Sequence, residues 1–164
     1  MSQQPPNTVQ RILLVDGDPV AISAMRKAAM ALTWASVVAV ARTADRALQA
    51  ARTSHPDIAL IDADLPGNTS LELVRAVTLE LPDTRVVVTA LAEDDELAVE
   101  AVRAGACGYV VKPLDVRRMA RVLATVADGG AFISRRVTMR LFQLVHNAPD
   151  SAIVIRPIRS LTSH

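Results

Sequence analysis

The chain has 164 residues, of which 51% are apolar and only 2% aromatic, with 18 basic against 17 acidic side chains and a net charge of +1. That length allows one domain with a hydrophobic core plus an appendage, and the core must be built from Ala, Val, Leu and Ile. The balanced charge gives no electrostatic footprint for nucleic-acid binding by the chain itself, and the single cysteine, Cys107, excludes an internal disulfide framework and fits a reducing cytoplasm.

Residues 1–10 are polar, contain Pro5 and Pro6, and have no apolar stretch behind a basic end, so they are read as a disordered tail and not a signal peptide. No apolar run approaches membrane-spanning length, and a soluble, cytoplasmic protein is expected. Arg11 to Val15 is a short apolar run, the expected first strand, and it ends in Asp16-Gly17-Asp18-Pro19. Asp18 ahead of Pro19 has the form of a helix N-cap with proline in the first turn, and Ile22, Met25, Ala29 and Leu32 then recur on one helical face. Ser36 to Ala41 reads as a second strand, and Thr43 caps a second helix with Ala44, Ala47, Leu48 and Ala51 as its buried stripe. His55-Pro56 breaks that helix, and Asp57 to Ile61 is a third strand ending in Asp62. After the turn Leu65-Pro66-Gly67-Asn68, Thr69 with Glu72 three residues on forms a capping-box pattern for a third helix. Pro82-Asp83 ends that helix, and Arg85 to Thr89 is a fourth strand. Glu93 to Glu96 then crowd the positive dipole end of the next helix, which Gly105 closes. Gly108 to Val111 is a fifth strand, and Lys112-Pro113 leads into a helix reaching Ala127.

Five strands alternating with five helices demand parallel pairing with right-handed crossovers, hence a doubly wound α/β sheet with helices on both faces. Past Asp128-Gly129-Gly130, Ser134 can cap one more helix with Val137, Leu141, Leu144 and Val145 as its apolar stripe. Asn147 to Asp150 breaks it, and 151–164 show no helical period. The expected organisation is a tail over 1–10, a domain over 11–130, and a linker helix and tail over 131–164.

In such a sheet, functional groups gather beyond the carboxyl ends of the strands. Those ends carry Asp16, Asp62, Thr89 and Lys112. One aspartate at a strand end is ordinarily a turn residue or an N-cap. Two carboxylates, a hydroxyl and an ammonium at the matching ends of four strands are hard to explain as turns.

The segments ILLVDGDP, ALIDADLPG, VVVTAL and GYVVKP, in this order and spacing over about residues 9–128, resemble the response-regulator receiver family. The resemblance implies a flavodoxin-like sheet of order 2-1-3-4-5, with Asp62 as acceptor of a phosphoryl group from the phosphohistidine of a sensor histidine kinase. It further implies Mg²⁺ held by Asp16 and Asp62, Lys112 paired with a phosphoryl oxygen, and Thr89 and Tyr109 as switch residues, Tyr109 rotating inward. The function implied is signalling by a phosphoprotein, not enzymatic turnover. One departure matters: the family usually has two adjacent acidic residues after the first strand, and here they are Asp16 and Gly17. Mg²⁺ binding is therefore expected to be weak, with Asp18 or Asp64 as candidate replacements for the lost ligand.

The stretch DGGAFISRRVTMRLFQLV resembles the linker after receivers in LuxR-type (NarL/FixJ-like) transcription regulators, and Leu161-Thr162 resembles the start of their helix-turn-helix domain. DNA binding is thus expected only through an output domain absent from this chain; Arg135, Arg136 and Arg140 read as a solvated face. Two other readings compete. One is a pseudo-receiver acting by dimerisation or ligand binding without phosphorylation. The other is a haloacid-dehalogenase-type phosphatase, suggested by Asp62-Ala63-Asp64, in which GYVVKP has no place. A homodimer is expected, with the linker helix taking part and Arg117, Arg118 and Arg121 facing Asp95, Glu96 and Glu100 as a secondary contact.

Overall fold

The apolar runs become strands because each is short, rich in Val, Ile and Leu, and closed by a turn or cap. A computed structural model describes residues 4–149. It contains β1 (Gln10–Val15), α1 (Pro19–Met30), β2 (Ala35–Ala41), α2 (Ala44–Ser54), β3 (Ile58–Asp62), α3 (Ser70–Glu80), β4 (Arg85–Ala90), α4 (Asp95–Ala104), β5 (Gly108–Val111), α5 (Val116–Ala127) and α6 (Arg135–Asn147). The strands pair in parallel in the order β2-β1-β3-β4-β5, as expected.

The pleat divides the core in two. Leu13, Val15, Ala59, Ile61, Val86 and Val88 face α2, α3 and α4, whereas Ile12, Leu14, Ile58, Leu60 and Val87 face α1 and α5. Strands apolar on both faces are what a sheet covered by helices on both sides requires. Trp34, just before β2, packs on the α1–α5 half, and its carbonyl accepts the Gln10 N–H at the amino ends of the strands.

Most helix ends follow the sequence expectation. Asp18 caps α1 through the Val20 N–H, Thr43 caps α2, and Ser134 caps α6 through the Val137 N–H; Asp94, for which no cap role was expected, caps α4. The Thr69–Glu72 capping box does not form. Thr69 has helical dihedrals and its hydroxyl donates to the Pro66 carbonyl, because Pro66–Asn68 already coil as a 3₁₀ turn; Ser70 instead accepts the Leu65 N–H. Gly105 ends α4 at φ +118°, and a Cβ there would lie 2.4 Å from Thr78 Oγ1 on α3. Gly105→Ala is expected to cost at least about 1–2 kcal/mol from the left-handed backbone alone, read as a lower midpoint in urea unfolding.

The linker helix departs from expectation in two ways. Val137 is buried, and Leu141 and Leu144 pack on the core half that includes α4, but Val145 is 57% exposed, one step off that face. Arg136 and Arg140, read as part of a solvated face, instead reach α4: Arg136 pairs with Asp95 at 2.8 Å and Arg140 pairs with Glu96, while Glu100 pairs with Arg103 of its own helix. Arg117, Arg118 and Arg121 are exposed, as expected.

Candidate phosphoacceptor site

The site lies beyond the carboxyl ends of β1, β3, β4 and β5, where backbone pairing sets the relative positions of the side chains. Asp62 stands level with Thr89 in the β3–β4 register. The backbone N–H of Asp16 bonds to the Ala41 carbonyl, and that of Lys112 to the Ala90 carbonyl. The Lys112 ammonium reaches from the β5 end to Asp16 Oδ2 at 2.7 Å and Asp62 Oδ1 at 3.1 Å. The other Asp16 oxygen accepts the Asp18 N–H at 2.8 Å. Asp16 and Asp62 are both buried, and they line a mouth of about 470 Å³ with Gly17, Asp18, Asp64, Leu65, Pro66, Leu91 and Lys112.

Burial pushes the Asp62 carboxyl above the usual carboxylate range. Lys112 and the Asp64 N–H pull it down and the Asp16 charge adds to the rise, with burial prevailing. Burial also works against the Lys112 ammonium, but its bonds to Asp16 and Asp62 outweigh it and hold the pKa above the ordinary lysine value. One cation thus serves two carboxylates, and the electrostatic balance is short by one positive charge. A folded carboxyl that binds its proton more tightly than the unfolded one makes stability fall as pH rises from the ordinary carboxylate pKa through the raised one. Asp62→Asn, which removes the excess charge, is therefore expected to raise the melting temperature at pH 7 and to lose that advantage near pH 4, as thermal scans would show.

Thr89 is fully buried, and its Oγ1 has no hydrogen-bond partner. A buried hydroxyl without a partner costs free energy unless something is received there. Tyr109 is already turned inward, only 7% exposed, with its hydroxyl donating to the Ala92 carbonyl in the β4–α4 loop at 3.0 Å. Its pKa is raised by burial and by the Asp94, Glu93 and Asp95 charges.

The oxygen donors suit a hard cation. Mg²⁺ needs only one or two carboxylates when waters and phosphoryl oxygens complete its shell, and Asp16 and Asp62 supply two. Asp18 and Asp64 line the same mouth as Asp16 and Asp62, although among the described residues no three acidic, histidine or cysteine side chains already converge on one metal position. Asp18 is engaged as the cap of α1. Sequence reasoning missed Arg42, whose guanidinium donates to the Gly17 carbonyl at 2.9 Å and pins the β1–α1 loop. It follows β2 as an exposed, ordinary-looking charge, and no motif marks it.

The fold and site are a five-stranded parallel sheet with two aspartates, a threonine and a lysine at its carboxyl edge. The family model for the response regulator receiver domain matches residues 12–124, and the chain belongs to that family. Response regulator GacA of Pseudomonas viridiflava is 29% identical over 154 residues, covering 91% of this chain and 72% of GacA. The DNA-binding transcriptional activator DevR/DosR of Mycobacterium tuberculosis is 30% identical over 114 residues, covering 70% of this chain and 52% of that protein. The crystal structure of a LuxR-family two-component response regulator from an Aurantimonas species matches with a TM-score of 0.75 at 26% identity, over 85% of this chain and 100% of that one. The chain is therefore a response-regulator receiver of two-component signalling. Receiver domains are signalling domains, not classical enzymes, and they generally bind Mg²⁺ at the acidic site; the family match is to them and not to the haloacid dehalogenases.

Proposed function

We propose that Asp62 accepts a phosphoryl group from the phosphohistidine of a sensor kinase and that this switches a transcriptional output. The observation that carries the reading is the Lys112 ammonium bridging Asp62 and Asp16 beside the partnerless hydroxyl of Thr89. Asp62 attacks phosphorus, the P–N bond of the donor breaks, and the imidazole leaves. Lys112 holds one phosphoryl oxygen as a compact point charge, and Thr89 donates its hydroxyl to another. Mg²⁺ held by Asp16 and Asp62 would neutralise charge on the incoming group. The domain is assigned to 11–130, followed by a linker leading to a DNA-binding output domain, in a cytoplasmic setting; among the described residues, no helix is long and apolar enough to cross a membrane. Self-association through the linker helix is part of this reading. Its exposed Met139, Phe142 and Val145 support it, and sedimentation of the full chain should show a dimer that a chain ending at Gly130 does not form.

The test is intact mass after incubation with Mg²⁺ and acetyl phosphate. A gain of one phosphoryl group in the native chain and none in Asp62→Asn is expected. Gly17, in place of an acidic residue beside Asp16, favours a second reading, a pseudo-receiver, and no gain at any Mg²⁺ concentration would support it.

A further inference from the structure

The net charge of +1 conceals a segregation of charge that only the fold brings out. Helices α1 and α5 lie side by side on one face of the sheet, over the core half built on Ile12, Leu14 and Leu60. Every ionisable side chain within these two helices is basic: Arg26 and Lys27 on α1, and Arg117, Arg118 and Arg121 on α5. All five are exposed, and none makes an ion pair among the described residues. The helices of the other face mix both signs and join them: Arg52 with Glu80, Arg103 with Glu100, Arg136 with Asp95, and Arg140 with Glu96.

Helical geometry turns the cations outward together. On α1 the buried side is marked by Met25, Ala28 and Ala29, and Lys27 stands opposite it. On α5 Met119, Leu123 and Val126 mark the buried side, and Arg117 and Arg121, one turn apart, point away from it. The nearest carboxylates, Asp18 and Asp115, are turned to the backbone as N-caps, accepting the Val20 and Arg118 N–H groups, and Asp128 lies past the far end of α5.

A face of unpaired cations repels a second copy of itself, which disfavours a symmetric dimer through α1 and α5. Neither helix carries an aromatic side chain, the usual anchor of a protein interface. Long cationic side chains without such anchors suit phosphates, which demand charge and no shaped pocket. We propose that the α1–α5 face binds the sugar–phosphate backbone of duplex DNA without reading its sequence. The choice of DNA among polyanions rests on the transcriptional output proposed above, whereas the face itself is independent of Asp62. Such a contact adds affinity, not specificity, to DNA binding by the output domain.

Fluorescence anisotropy tests this, with a labelled duplex of about 20 base pairs and mixed sequence titrated with the full chain. Three outward cations releasing counterions from three phosphates give an affinity that falls about fortyfold between roughly 50 and 200 mM salt. A second duplex of unrelated sequence should bind equally. Arg117→Glu with Arg121→Glu should weaken binding at least about tenfold. Arg75→Glu with Arg135→Glu, at exposed and unpaired arginines of the other face, should change it less than about twofold. The two double variants have the same net charge, so only the location of the charge differs, and circular dichroism checks that both fold. No binding at the lower salt, or equal losses in the two variants, overturns the proposal. Tighter binding of a glutamate peptide of equal charge keeps the basic face but overturns DNA as its partner. None of these results bears on phosphoryl acceptance at Asp62, which intact mass reads separately.

Discussion

Replacing Lys112 with methionine is expected to cost about 3 kcal/mol of folding stability at neutral pH, the lower end for breaking a buried pair because this pocket opens to solvent. Lys112 is only 9% exposed and is the one cation between two buried carboxylates. Without it, Asp16 and Asp62 face each other uncompensated, and the Asp62 carboxyl, already held above its usual range, rises further. The folded variant then binds a proton that its unfolded chain releases, so its deficit shrinks as pH falls toward the ordinary carboxylate pKa. Urea unfolding at pH 7.5 and pH 4.5 reads both effects. A deficit equal at the two pH values would mean that lost packing, not charge, is responsible.

Gly17→Asp is expected to tighten Mg²⁺ about tenfold, since affinity in an oxygen site follows the number and charge of its ligands. Room exists for the side chain: a Cβ at Gly17 would meet Pro66 Cδ at 3.6 Å and the Arg42 carbonyl at 3.9 Å, ordinary contacts, and no left-handed backbone stands in the way. The same substitution adds a carboxylate to a pocket already short of cations, so the metal-free variant should also be less stable. Calorimetric titration with Mg²⁺ measures the gain. Equal affinities in native and variant chains would show that Asp18 or Asp64 swings in as a ligand when the ion arrives.

The strands, and the placement of the candidate site residues at one sheet edge, were legible for one reason. Each strand is a run of apolar residues, and the first polar residue after it falls at the carboxyl edge of the sheet, so Asp16, Asp62 and Lys112 are placed by the ends of their runs, and Thr89 by its position next to the last residue of β4. What could not be read depends on groups distant in sequence. The bond from Arg42 to the Gly17 carbonyl joins two elements that only the β1–β2 pairing brings together. Thr69 and Glu72 have the right spacing for a capping box, but the 3₁₀ turn over Pro66–Asn68 had already used the hydroxyl of Thr69. On α6, Val145 looked equivalent to Leu144 because apolar residues surround the helix; only docking on α4 selects Val137, Leu141 and Leu144. Arg136 and Arg140 read as a solvated face because only the path of the chain past β5 brings them to Asp95 and Glu96.

The scarcity of aromatic residues gives this protein two separate optical reporters. Trp34, the sole tryptophan, packs at the amino end of β2, about 20 Å of strand away from the pocket edge. Its emission should follow unfolding of the whole sheet and stay unchanged when the pocket is filled. Tyr109 is the sole tyrosine, and its hydroxyl lies on the loop that borders the pocket, so its ultraviolet difference spectrum should respond to pocket occupancy while the fold is intact. Stability and switching can therefore be followed in one sample, at two wavelengths, without any label.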